Sequence, residues 1–408
     1  MPSLSEKLKS LGVQVGAQNI SSQPRKRGRG VPIEEVVEGR FLETPFGKAF
    51  VVESKFPPGH KQGLFDLLPS CSFDRIAAWA GEPGILDLSY EEFIFLDTET
   101  SGLSVGAGTY AFLIGLGRFE AGGFHLAQYF MRDPIEELAQ LIALTDFLGN
   151  RAGLVTFNGK AYDVPLLNTR FITHGERSPF KSPSHIDLLP LARRIWRDRL
   201  PSRALGYLEE HILGASRSHE DVPGWLIPGL YFDYLRSGDA RPLKNVFYHN
   251  AMDILSMAAL LNHLAQLLED PLNGLDPHGI DLIAIGKLYE DLGDVNSAAE
   301  CYVRGLGKPI PEEVRSEGLK RWSFLEKRRE NWEKAIEIWT IAAQRSELYA
   351  FEELAKFYEH RLRDYPQAVH WTQSAIDTLQ SLRLTRFERE HWLQQLTHRL
   401  ERLRKKSE

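Results

Sequence analysis

The run Phe93-Ile94-Phe95-Leu96 constrains this chain more than any other stretch, because four apolar residues lead directly into Asp97-Thr98-Glu99-Thr100-Ser101-Gly102. A short apolar run bounded by a turn signal suits a buried strand. On a strand, residues i and i+2 face the same side, so Asp97 and Glu99 converge at its end. Two carboxylates held together repel, and a cation between them removes that cost. Hard oxygen donors of this kind suit Mg²⁺ or Mn²⁺. Two readings fit the pair about equally: half of a metal site, or an acidic turn facing water.

With 408 residues, two or three domains are expected. A net charge of −6 rules out a global basic field that would advertise a nucleic-acid binder, and leaves only local patches for that work. The two cysteines, Cys71 and Cys301, form no CxxC pattern. That argues against a zinc site or a disulfide framework and fits a reducing cytoplasm. No stretch approaches the roughly 18 apolar residues of a membrane span, so a cytoplasmic protein with no membrane partner is the expectation.

In chain order, residues 1–30 read as a basic, Gly/Pro-rich tail (Arg25, Lys26, Arg27, Arg29), either solvated or touching phosphates through charge. Residues 31–92 form a lead-in of short strands, turns and one helix. From 93 the pattern sharpens: strands at 93–97, 110–119 and 124–131, a Gly-rich turn at 104–108, then a helix over 133–149 capped by Asp133 with Pro134 in its first turn. A strand at 153–157, a helix over 163–175, a strand end running into a helix over 185–196 and a strongly periodic helix over 244–268 complete a mixed α/β pattern. Arg193, Arg194, Arg197, Arg199 and Arg203 cluster around Trp196, which fits a phosphate-contacting surface or a solvated helix face. After a turn-rich linker at 270–279, residues 280–395 become helical and self-similar. Ala298, Ala335 and Ala368 are spaced 37 and 33 residues apart, near the roughly 34-residue period of tetratricopeptide helix pairs. Such a stack offers a surface for a protein partner.

Two later stretches each add an acid. In Phe157-Asn158-Gly159-Lys160-Ala161-Tyr162-Asp163, the aspartate opens a helix after a strand and a short loop, where an N-cap role is equally ordinary. In Tyr248-His249-Asn250-Ala251-Met252-Asp253, the aspartate lies beside a core-facing apolar stripe, a costly place unless it is paired or metal-bound. His249 lies one helical turn before it. It is either a partly buried histidine or a general base suited to neutral pH.

These three stretches, in this order, resemble the three exonuclease motifs of the DEDD, or DnaQ-like, superfamily with its RNase H-like fold. DTETSG resembles the first, FNGKAYDVPLL the second and YHNAMD the third. Together with tetratricopeptide-like repeats, the chain resembles the YprB-type ribonuclease H-like proteins. The resemblance implies an RNase H-like domain over 93–268, with a mixed five-stranded sheet flanked by helices, followed by an all-α repeat domain over 280–395. It implies a nuclease on DNA or RNA, an exonuclease first and an endonuclease or a silent binding and scaffolding module as rivals. Asp97, Glu99, Asp163 and Asp253 would hold two Mg²⁺ or Mn²⁺ ions, and Thr98, Thr100 and Asn158 would contact substrate. The family splits by a His five residues, or a Tyr four residues, before the last Asp. Here the order is swapped, with Tyr248 at minus five and His249 at minus four. His249 is taken as the base and Tyr248 as its alternate.

Overall fold

The computed structural model describes residues 30–102, 108–180, 184–272 and 277–407. The basic tail and nearly all of the Gly-rich turn expected at 104–108 lie outside the described residues. Strand β5 (Phe93–Thr100) is the centre of the architecture. It pairs antiparallel with β6 (Ala111–Glu120), which pairs antiparallel with β7 (Gly123–Phe130). On its other side it pairs parallel with β8 (Gly153–Thr156), which pairs parallel with β9 (Ser184–Asp187).

The sheet is mixed, as expected, but has seven strands rather than five. The lead-in stretch supplies β1 (Arg40–Thr44) and β2 (Gly47–Phe56), and β2 zips onto β7 from Phe50↔Phe130 to Phe56↔Phe124. The order is therefore β1-β2-β7-β6-β5-β8-β9. Short strands were expected in this stretch, but weak alternation gave no sign that they extend the central sheet. Two further strands, β3 (Lys61–Gln62) and β4 (Phe65–Asp66), form a separate small ribbon.

Alternation along β5 sorts its side chains to two faces. Ile94 and Leu96 join the core made with Leu141 and Leu144 of helix Glu137–Leu148 and with Leu166, Leu167 and Phe171 of helix Asp163–Thr173. Phe93 and Phe95 join the opposite core, with Ile195 and Trp196 of helix Leu188–Trp196 and Ile254, Leu255 and Ala258 of helix Lys244–Glu269. The continuous helical stretch Arg241–Glu269 is long and apolar enough to cross a bilayer by length and composition. That exceeds what the sequence suggested, but 78% of its most apolar window is buried, so it is a core helix here.

Six further helices, from Gly279–Asp291 to Tyr365–Ser381, pack in successive pairs, and helix Arg386–Ser407 closes the array. Ala298, Ala335 and Ala368 are each the fourth residue of the second helix in a pair, and each is fully buried. The first pair shares one continuous core with the sheet through Leu282, Ile283, Leu288 and Tyr289. Of the arginine cluster, Arg199 reaches Asp281 at 2.8 Å and Arg194 pairs with Asp291, both on the first repeat helix, while Trp196 is buried. Arg194 and Arg199 therefore clasp the two parts of the chain together, and Trp196 is core rather than a stacking platform.

Candidate active site

The face-sorting of β5 places Asp97 and Glu99 under helix Lys244–Glu269, while Thr98 turns the other way. That helix crosses the sheet closely because β6 carries glycine where they meet. Asp97 is paired with Gly115 in the ladder, and a Cβ on Gly115 would lie 2.2 Å from Asn250 Oδ1. A Cβ on Gly117 would lie 2.7 Å from Ile254. With both absent, Asn250 donates to Asp97 Oδ2 at 2.8 Å. Gln128, beside Gly115 on β7, donates to Asn250 Oδ1 at 2.9 Å and to the Phe247 carbonyl at 2.8 Å. Asp253 follows Asn250 by three residues and so lies on the same helical face.

Asp163 arrives from the other side. Its carboxylate accepts the Thr98 hydroxyl rather than capping its helix. The loop before it is stapled by Asp187 at the end of β9, which accepts the main-chain N–H of Asn158 at 2.7 Å and of Lys160 at 3.1 Å. Asn158 sits at φ 69°, in the left-handed region that asparagine tolerates well, and is exposed. Thr100 and Tyr162 both donate to the Gly102 carbonyl, at 2.7 and 2.6 Å, and Thr100 is buried.

Four acids are thus gathered at one strand end. Burial, then the charges of Asp253, Glu99 and Asp163, holds the Asp97 carboxyl well above the usual carboxylate range, with Asn250 offsetting part of the rise. Burial, then Asp253 and Asp163, raises Glu99 likewise. Asp163 is pushed up to about 6 by burial, against the Thr98 hydrogen bond. Such a set of hard oxygen donors, short of positive charge, has the chemistry to hold Mg²⁺ or Mn²⁺. Among the described residues, no group of three or more His, Cys, Asp or Glu side chains stands in metal-holding geometry.

The positive charge nearest these acids comes from a residue the sequence did not single out. Arg217 pairs with Asp253 Oδ1 and donates to Glu209 Oε2 at 2.6 Å. Glu209 opens a π turn, Glu209–Leu213, that ends at Gly214 with φ 66°. Desolvation works against the guanidinium, but Glu209 and Asp253 outweigh it and raise its proton affinity. Asp221, four residues on, lies 2.8 Å from His249 Nδ1, and Arg217 lies 3.0 Å from the same nitrogen. One nitrogen cannot donate to the first and accept from the second. With a proton on Nδ1 the ring donates to Asp221; without it the ring accepts from Arg217. In either case Nε2 lies 3.7 Å from Asp253 Oδ2. The Tyr248 hydroxyl accepts the Ser218 main-chain N–H at 3.0 Å. His249, Asp253, Arg217 and Asp221 line a cavity of about 660 Å³.

Arg217, Asp221, Glu209, Asn250, Gln128 and Asp187 are therefore additions to the residues read from sequence. The one available signal was the i, i+4 spacing of Arg217 and Asp221 in a stretch that reads as loop.

Comparison with known proteins places this geometry. The chain is 29% identical over 335 residues to the uncharacterized protein YprB of Bacillus subtilis, covering 79% of each chain. A family model described as RNase H superfamily matches residues 94–265, the span that holds all four acids. Residues 94–265 are thus similar to the RNase H superfamily and are followed by an all-helical region.

Proposed function

We propose that this chain is a metal-dependent nuclease that hydrolyses phosphodiester bonds of DNA or RNA, acting as a 3′–5′ exonuclease of the DEDD type. The observation that carries this reading is the meeting of Asp97, Glu99, Asp163 and Asp253 around one strand end, with burial and mutual repulsion lifting three of the carboxyls. A pure nucleic-acid binder gains nothing from massed negative charge beside phosphates. The four side chains would hold two Mg²⁺ or Mn²⁺ ions, which supply, when bound, an activated water and charge relief at the leaving oxygen.

The chain's own groups do the rest. Asn250 and Gln128 fix Asp97, and Thr98 fixes Asp163. Asp221 turns His249 so that Nε2 takes the proton of the attacking water. His249 is favoured over Tyr248 because it lines the cavity with Asp253, whereas the Tyr248 hydroxyl is engaged by Ser218. Asn158, exposed beside the second motif, is placed to meet substrate; Thr98 and Thr100 act through Asp163 and the Gly102 turn. The helical array is read as tetratricopeptide-like and as the seat of a protein partner, with the chain working in the cytoplasm.

Incubation with 5′-labelled DNA and RNA oligomers plus Mg²⁺ or Mn²⁺ tests the reading. A ladder of shortened products is expected, and Asp97→Asn should abolish it while leaving the melting temperature within a few degrees. Internal cuts at discrete lengths would mark an endonuclease. A silent binding module is favoured by the guanidinium seated on Asp253. That alternative requires no thermal shift with Mn²⁺ and no products, and full activity in Asp97→Asn would end the catalytic reading.

A further inference from the structure

We propose that Arg217 gates ion loading: its guanidinium holds Asp253 until a phosphodiester takes it, so metal and nucleic acid bind cooperatively. The proposal rests on the nuclease reading and adds a regulation of that same site.

Four observations converge. Arg217 spends one oxygen of Asp253, an oxygen that an incoming ion would use. Its charge cannot be switched off, because arginine does not deprotonate in proteins and this one is pushed further from doing so. Only a competing anion can draw it away. Among the described residues lining the cavity it is the sole Lys or Arg, facing Glu209, Glu210, Asp221 and Asp253. A phosphodiester entering there therefore has one cationic side chain to meet, and a planar guanidinium matches phosphate oxygens in paired fashion.

The mounting suits a side-chain exchange. The Arg217 side chain is 12% exposed, and its Nε–Nη2 edge is held by Glu209, itself 2% exposed, with Nη2 shared between Glu209 and Asp253. The main chain on either side is tied down, at Gly214 by the Ala215 N–H on the Glu209 carbonyl and at Ser218 by Tyr248. Asp253 is freed when Nη2 gives up its carboxylate contacts to a phosphate while Nε stays on Glu209. With the guanidinium on Asp253, a divalent ion meets both a blocked donor and a like charge a few ångströms away. With it on a phosphate, both obstacles are lifted. Coupling is reciprocal, so the metal must tighten nucleic-acid binding by the same factor.

The test measures Mn²⁺ dissociation from the full chain by electron paramagnetic resonance of the free ion, with and without a cleavage-resistant phosphorothioate oligonucleotide. In the wild type the oligonucleotide is expected to tighten Mn²⁺ binding about 5- to 150-fold, the usual span for coupled sites. Arg217→Gln should bind Mn²⁺ about tenfold tighter alone and lose the oligonucleotide effect, whereas Arg217→Lys keeps a charge and keeps weak binding. Should Arg217→Gln fail to fold because Glu209 is left buried and unpaired, the Glu209→Gln/Arg217→Gln double variant carries the same expectation. Equal or weaker Mn²⁺ binding in the glutamine variants, or an oligonucleotide effect that persists in them, overturns the gate while leaving the nuclease reading standing. Absence of Mn²⁺ binding in the wild type, matched by Asp97→Asn, would end both.

Discussion

Asp221 shows what a single carboxylate does here without touching an ion. In the proposed mechanism it accepts the Nδ1 proton of His249, 2.8 Å away, which leaves Nε2 bare. Asp221→Asn keeps the shape and can present its amide N–H to Nδ1, which favours the wrong tautomer. A fall in kcat of about 10- to 100-fold is expected from impaired proton transfer, with the Mn²⁺ dissociation constant unchanged within about twofold. Paired measurement of kcat and Mn²⁺ affinity checks this, and a change in affinity alone would assign Asp221 to the ions instead. At this scale the acids were readable because each sits beside a local signal: a strand end, a helix start or an apolar helical stripe. Arg217 and Asp221 were not, since their partners lie 36 and 28 residues away and a π turn, which no periodicity announces, aims them. Trp196 misled for the converse reason, because an aromatic among arginines looks the same in sequence whether it faces water or core.

At the scale of elements, the contact of helix Lys244–Glu269 with β6 decides whether the first and third motifs meet. Gly115→Ala would drive a methyl into the Asn250 amide, which Gln128 and Asp97 hold in place. A loss of about 2–3 kcal/mol is expected from overpacking, together with a drop in activity at temperatures where the variant is still folded. Chemical denaturation followed by an assay well below the midpoint separates the two effects. The same helix carries His263 between Phe65 and Trp196, with Nδ1 buried and unpartnered. Burial, then Arg199, lowers this imidazole from 6.5 to about 4. The folded chain therefore binds fewer protons than the unfolded chain between those values, and this residue's contribution is lost as pH falls through 6.5. Full loss amounts to about 3 kcal/mol at 1.36 kcal/mol per pKa unit. Asp97, Glu99 and Asp163 are shifted the other way and oppose the trend, so the difference between wild type and His263→Phe is the informative quantity. The phenylalanine variant should gain on wild type as pH drops from 7 to 4.5, and parallel melting curves would refute the assignment. Helices and central strands were legible through their periods. The β1–β2 strands were legible only as short strands, and their place in the main sheet was not, because a strand with one open edge needs little alternation once a neighbour supplies the pairing.

At the scale of the whole molecule, the join between the sheet and the helical array rests on Arg199 and Asp281. Asp281 is 4% exposed, and burial raises its carboxyl despite the guanidinium beside it. Arg199→Ala strands that acid, and a loss of about 3 kcal/mol is expected, as for other broken buried pairs. Asp281→Asn should cost less, because Arg199, at 18% side-chain exposure, can turn to water. Denaturant midpoints for the two variants check the order. The joint was hidden in the sequence because an 82-residue separation divides its partners and each half has a plausible surface role.

That joint has a mechanical consequence. Because the first helical pair and the sheet share one hydrophobic interior and are pinned by buried charges, the array cannot swing as a tethered arm. Anything gripped by its far helices would be presented to the acidic pocket at a set distance and angle, as a jig presents a workpiece, and under the proposed nuclease function shortening the array would change where on a strand the cut falls.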